Sequence, residues 1–252
     1  MAKQRNVLSN SDYGPIIINK HDNTIGMCIS EYGYWGTADI KLIEGIVRAT
    51  LRPDEPTCLL DIGSNIGTHA LAFGKFPFQN LTVHAFEAQR EIYYMLAGTI
   101  ALNNLSNVYC HHTAVSNVSG LELNMPMVDY SSNSNFGSYE LEVAKFSDTS
   151  DMYIDGKFEK IQTIRIDDMR LNHVRLIKID VEGMEDKVVE GCHETIVANR
   201  PIVFIETFKT DFDAIKAFLI PNNYLLFMTP SRDAICIPGE HNVGINGATQ
   251  IT

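Results

Sequence analysis

Short apolar runs and helically spaced apolar positions take turns along most of the chain. Residues 57–62 (Thr-Cys-Leu-Leu-Asp-Ile) make an apolar run of strand length, followed by Gly-Ser-Asn-Ile-Gly at 63–67 and a helical pattern over 69–75. Residues 81–87 predict a second strand, 92–102 a helix and 108–115 a third strand. Residues 176–180 and 201–206 predict two more strands, and Met184, Val188, Val189, Cys192 and Ile196 mark the apolar stripe of a helix between them. This alternation predicts an α/β fold: a mostly parallel sheet with right-handed crossovers and helices on both faces.

The flanks differ. Upstream, Ile40, Ile43 and Val47 share one face of a helix over 39–50 that Pro53 and Pro56 close, after an irregular start. Downstream, a helix over 211–219 leads into strands 224–228 and 234–237 around Thr-Pro-Ser-Arg-Asp, an antiparallel hairpin at the sheet's edge. Residues 124–160 keep no strong period and are rich in Ser, Asn and Asp around 131–138, so they predict an insertion over the carboxyl edge of the sheet. With no repeat and no linker, the chain reads as one structural domain: an N-terminal segment over 1–56 and a body over 57–252 that carries the insertion.

Composition narrows the function. The 252 residues are 45% hydrophobic and 20% charged, as in ordinary globular proteins. Twenty Lys and Arg against 31 Asp and Glu give a net charge of −11, which disfavours nucleic acid and anionic lipid as partners. No apolar stretch follows the basic N-terminal residues, so no secretory signal is expected and the location reads as cytoplasmic. Residues 92–121 carry no charge, but their apolar part ends at Asn103, well short of the roughly 20 residues a membrane span needs. Five cysteines without a Cys-x-x-Cys pair predict neither a disulfide framework nor a zinc site, and read as small buried hydrophobes. Oligomeric state is left open.

The turn at 61–67 is the first candidate for chemistry. Gly63 and Gly67 let the backbone approach a ligand, and the following helix offers unpaired N–H groups. Glu87 ends the second strand twenty-four residues beyond Gly63, where an acid accepts bonds from both ribose hydroxyls of a nucleoside cofactor. Either feature alone fits a plain turn or a solvated strand end; together they favour a nucleoside. Asn65 stands where a dinucleotide site needs a glycine, so a pyrophosphate is poorly served, whereas Asp61 before the first glycine suits S-adenosylmethionine.

Carboxylates gather at later strand ends. Asp180 is the first candidate for a base that takes or orients a proton from an acceptor hydroxyl, with Glu182 and Glu206 beside it; crowding would bring one of the carboxylates closer to working pH. The same three residues could instead hold Mg²⁺, and Asp180 or Glu182 could cap the next helix. Asp167 and Asp168 read as caps of a short helix. Trp35 offers an aromatic face to a sulfonium or an acceptor, or packs in the core. His69 is an acceptor contact or an alternative base, and Asn135, in the insertion, is a candidate acceptor contact.

Four segments resemble the FkbM-type S-adenosylmethionine-dependent methyltransferases: Leu-Asp-Ile-Gly-Ser-Asn-Ile-Gly at 60–67, Ala-Phe-Glu at 85–87, Asn107-Val108 through Ala114-Val115-Ser116, and Ile-Lys-Ile-Asp-Val-Glu-Gly-Met-Glu at 177–185. The last is the most specific. The resemblance spans about 35–206 and implies a seven-stranded class I methyltransferase fold. It implies that Gly63 and Gly67 face the methionine part of the cofactor, with Asp61, Ser64 and Asn65 also in the cofactor site, and that Glu87 holds the ribose. Ala114 and Val115 would border the adenine, and Asp180 would face cofactor and acceptor. It further implies methyl transfer to an oxygen of a saccharide or other small molecule. Ser64 in place of alanine, Ala88 in place of proline, and Thr68-His69 in place of aromatic residues depart from the family pattern. A nitrogen acceptor, a non-catalytic cofactor-binding module and a dehydrogenase are the rival readings, the last disfavoured by the missing glycine.

Overall fold

The computed structural model describes residues 4–139, 152–241, 243–245 and 247–251. It opens with a hairpin, β1 (Asn6–Ser11) and β2 (Gly14–Asn19), then helices α1 (Ile25–Tyr32) and α2 (Thr37–Thr50). The body follows as β3 (Thr57–Ile62), α3 (Thr68–Phe73), β4 (Leu81–Glu87), α4 (Arg90–Leu102), β5 (Val108–His112) and β6 (Ala114–Val115). Next come β7 (Glu122–Val128), β8 (Tyr153–Ile164), β9 (Val174–Ile179), α5 (Glu185–Glu190), α6 (His193–Asn199) and β10 (Ile202–Glu206). The chain closes with α7 (Phe212–Leu219), β11 (Tyr224–Met228), β12 (Asp233–Pro238) and β13 (Thr249–Gln250).

The main sheet runs in the order β13-β11-β12-β10-β9-β3-β4-β5. Its five central and outer strands β10, β9, β3, β4 and β5 are parallel, and β12, β11 and β13 are antiparallel. Seven of these strands are the expected ones; the eighth, β13, is a two-residue edge. Every residue of β3 is buried, because α2, α3 and α4 cover one face and α5, α6 and α7 the other, which is why its sequence is apolar without alternation. From β3 the chain winds outward to β4 and β5, then returns to place β9 on the other side of β3. A crevice opens where winding reverses, at the carboxyl ends of β3 and β9, and such crevices are where open α/β sheets bind ligands.

Several expectations need correction. The start of the chain is not irregular: β1 and β2 pair residue by residue from Asn6 with Asn19 to Ser11 with Gly14. They dock on α4, where Thr99 Oγ1 accepts from the Ile17 N–H at 3.1 Å and Asn103 Nδ2 donates to the Pro15 carbonyl at 2.7 Å. The third strand splits at Thr113: β5 stays in the main sheet, while β6 leaves it to pair with β8. The insertion is partly regular too, since β7 and β8 form an antiparallel pair in a three-stranded sheet with β6; its residues 140–151 lie outside the described residues. The helix expected after β9 breaks into α5 and α6 at Gly191, where a Cβ would lie 2.2 Å from the Ser116 carbonyl oxygen. Of the five cysteines, all free, Cys58, Cys192 and Cys236 are buried as expected, but Cys28 and Cys110 are partly exposed. Among the described residues no helix is long and apolar enough to cross a membrane.

Asp167 caps a helix other than its own. Its carboxylate accepts from the Glu194 and Thr195 N–H groups at 3.1 and 2.8 Å and from the Thr195 hydroxyl at 2.7 Å, satisfying the free amides at the start of α6. Asp167→Ala is expected to cost about 0.5–2 kcal/mol, read as a Tm lower by a few degrees in a calorimetric scan. An unchanged Tm would mean that α6 does not depend on this cap.

Candidate active site

Two backbone crossings shape the crevice. Gly63 (φ +79°) passes so close to the chain leaving β9 that a Cβ would lie 1.7 Å from the Asp180 carbonyl oxygen. Gly67 (φ +94°) faces Leu96 of α4, whose Cδ1 would lie 2.7 Å from a Cβ. The glycines are thus required by packing as well as by their left-handed conformation. Between them, Asn65 takes φ +49°, and Ser64 Oγ donates to the Asp61 carbonyl at 2.7 Å.

The crevice is a cleft of about 300 Å³. Gly63, Ser64, Asn65, Glu87, Ala114 and Val115 line one part of it. Asp180, Glu182, Glu206, His69, Trp35 and Asn135 line the rest. Asp61 and Gly67 do not reach the cleft wall: Asp61 is fully buried beneath the turn, and Gly67 packs on α4. Trp35 packs on the apolar cluster below the hairpin and also lines the cleft.

Glu87 braces the turn. Its Oε2 accepts from the Asn65 N–H at 2.9 Å and its Oε1 from the Gln89 N–H at 2.8 Å. Burial raises its carboxyl to about 7, although those two N–H bonds and the distant Lys178 charge favour ionisation. Each oxygen keeps a lone pair, so the residue can hold the turn and still accept ribose hydroxyls.

Lys178 organises the floor. It is 3% exposed, and its Nζ donates to the Gly63 carbonyl at 3.0 Å and lies 3.2 Å from Asp180 Oδ2 and 3.4 Å from Asp61 Oδ1. Burial opposes its charge, but the two carboxylates outweigh burial and hold the ammonium above its ordinary pKa. Burial raises the Asp61 carboxyl against the pull of Lys178 and of the Ser64 side chain. Sequence reasoning gave Lys178 no role. The signal was there: a lysine inside the run Val-Arg-Leu-Ile-Lys-Ile, in a strand buried on both faces, has to be paired. Gln89 was missed as well. It lines the cleft and ties the insertion down, donating to the Phe136 carbonyl at 3.1 Å and accepting from the Tyr130 hydroxyl at 2.8 Å.

The three strand-end carboxylates do converge: Asp180, Glu182 and Glu206 each bring a ligand atom within 4.8 Å of the others. Neither Asp180 nor Glu182 caps a helix, since α5 has no side-chain cap; Glu185, its first residue, reaches back to accept from the Val181 and Gly183 N–H groups at 2.9 and 3.1 Å and so fixes the loop between β9 and α5. Lys178 accompanies Asp180, and Lys209 Nζ donates to Glu182 Oε2 at 2.7 Å, charge compensation that a divalent cation would have to displace. Burial, then the Asp180 and Glu182 charges, raise Glu206 to about 8. Burial raises Glu182 to about 7 against the pull of Lys209. Burial pushes His69 down to about 3, with Lys178 adding to the effect, so its ring stays neutral.

These shifts give stability a pH slope. Glu206 binds a proton up to about pH 8 in the fold but, with a reference pKa of 4.5, only up to about that pH when unfolded. The folded state therefore holds more protons between these limits, and stability falls as pH rises through this window. Glu206→Gln is expected to flatten the fall in Tm between about pH 5 and 8. A slope as steep as wild type would assign the titration to another group.

The profile of the methyltransferase FkbM domain matches residues 61–226, more than half of the chain. No curated protein matches it. A methyltransferase FkbM from Methylobacillus flagellatus KT is 20% identical with a TM-score of 0.47; the match covers 75% of this chain and 44% of that one. TYW2 of M. jannaschii, solved with AdoMet, is 11% identical with a TM-score of 0.45, covering 94% of this chain and 85% of that one. A precorrin-6y C5,15-methyltransferase from Geobacter metallireducens GS-15 is also 11% identical, with a TM-score of 0.43 and coverage of 77% and 84%.

Proposed function

Because the chain belongs to the FkbM methyltransferase family, we propose that it transfers a methyl group from S-adenosylmethionine to a hydroxyl oxygen of a saccharide or other small molecule. One observation carries the reading: the braced glycine turn, Glu87 and three converging carboxylates line a single cleft at the switch point of the sheet.

The residues divide the work. Glu87 accepts the ribose hydroxyls, Ala114 and Val115 border the adenine, and the backbone of Gly63, Ser64 and Asn65 meets the methionine end, with Asp61 supporting the turn from below. Bound S-adenosylmethionine supplies a methyl carbon on a positively charged sulfur, and S-adenosylhomocysteine is the product. Asp180 takes the acceptor's proton as the new O–C bond forms, and Lys178, 3.2 Å from its Oδ2, holds it in place. Glu182 and Glu206 shape the acceptor side, Trp35 shields the reacting centre from water, and Asn135 closes the cleft from the insertion. His69, neutral over the working pH range, contributes a hydrogen bond rather than a proton-accepting base. We do not assign Mg²⁺ a part, since two of its three carboxylates are already paired with lysines.

The test is formation of S-adenosylhomocysteine from S-adenosylmethionine in the presence of neutral sugars or, in parallel, primary amines. Turnover with the sugars is expected. Turnover with amines alone would move the acceptor atom to nitrogen.

A further inference from the structure

Two atoms of cleft-lining side chains are buried and have no hydrogen-bond partner among the described residues: Nε2 of His69 and Oε2 of Glu206. A buried polar atom left unpaired costs free energy, and folds keep few of them. Glu87, Lys178 and Gln89, also in this cleft, are all paired within the chain. The Asp61 oxygens face Lys178 beneath the turn rather than the cleft.

His69 is held in place. Its ring meets Phe73 edge-on at 5.8 Å, and the backbone of Gly36 runs so near that a Cβ there would lie 2.9 Å from Cε1. Its Nδ1 lies 3.5 Å from the Thr68 hydroxyl, so Nε2 is the nitrogen left for a ligand. Glu206 ends β10, and burial, then its neighbours Asp180 and Glu182, press it toward the protonated form. Both residues line the cleft that Asp180 lines, and Glu206 brings a carboxylate oxygen within 4.8 Å of one from Asp180. A neutral imidazole and a protonated carboxyl each offer one directional hydrogen bond and no net charge. Hydroxyl groups satisfy such atoms; an anion would meet Asp180 and Glu182 at the same place and be repelled.

We propose that His69 and Glu206 read hydroxyl groups next to the one that is methylated, so that the acceptor is an uncharged polyhydroxylated ring with a hydroxyl on a carbon adjacent to the methylated position. This rests on Asp180 facing the reacting hydroxyl. A site built to bond a hydroxyl discriminates against the analogue that lacks it, because its own polar atom is then left unpaired.

The experiment pairs residue and substrate changes. Methyl hexopyranosides and their monodeoxy analogues are offered with S-adenosylmethionine to wild type, His69→Phe and Glu206→Met, and S-adenosylhomocysteine formation is followed. Wild type is expected to prefer the parent sugar over one deoxy analogue by about tenfold or more, mainly in KM. In His69→Phe or Glu206→Met that preference is expected to vanish, with S-adenosylhomocysteine affinity unchanged. Should His69→Phe not fold, His69→Asn, with a shorter side chain, reads the same cycle. Undiminished preference in both variants overturns the inference while leaving the proposed function standing. No transfer to any of these sugars by wild type overturns the saccharide reading and this inference together.

Discussion

Asp180→Asn is expected to slow methyl transfer by about 10²–10⁴-fold, the usual weight of a general base, while Tm and cofactor affinity stay near wild type. The side chain is 43% exposed, so little desolvation energy is at stake in the change. Asparagine keeps its shape, and the Asp180 N–H still donates to the Ile62 carbonyl at 3.0 Å. Lys178 loses one partner but keeps Asp61 and the Gly63 carbonyl, enough to hold the floor together. What is lost is the proton acceptor. Single-turnover rates set beside a calorimetric titration with S-adenosylhomocysteine separate the two effects. A wild-type rate in the variant would move the base to Glu206 or Glu182.

Glu87→Ala carries the largest expected effect on binding. Losing charge-assisted bonds to the ribose should weaken cofactor affinity by about 1.5–3 kcal/mol, roughly ten- to a hundredfold. The fold will not be indifferent. The Asn65 and Gln89 N–H groups both depend on this carboxylate, and Glu87 is only 6% exposed, so the alanine variant should also melt earlier. Glu87→Gln, which keeps one acceptor oxygen, should bind with intermediate affinity and lose less stability. Affinity unchanged in both variants would remove Glu87 from the cofactor site.

The parallel sheet was legible because its inner strands are short, mainly apolar runs set between turn signals, and each crossover helix shows its stripe. Residues 57–62 and 81–87 match β3 and β4 end to end for that reason. The hairpin of β1 and β2 was not legible: its partner is α4, eighty residues away, and Ile16, Ile17 and Ile18 in succession do not alternate. The split at Thr113 was hidden as well, since strand propensity runs on through Val115 while the pairing partner changes from β4 to β8.

In the site, the turn and the strand-end acids could be found because their chemistry follows from spacing. Strand ends of a parallel sheet converge whatever lies between them in sequence, so Asp180 and Glu206 meet across twenty-six positions. What sequence could not supply was the pairing: Lys178 beneath Asp180, Lys209 on Glu182, and both oxygens of Glu87 engaged by backbone N–H groups. Those contacts decide which acid is compensated and which is pushed toward the neutral form.

The central claim is that the cleft beside Gly63 and Glu87 holds the methyl donor. Calorimetric titration of the wild-type protein with S-adenosylmethionine and S-adenosylhomocysteine tests it most directly. Micromolar binding of both, without added metal, is the expected result; absence of binding to a protein that melts cooperatively would contradict it and return the glycine turn to a purely structural role.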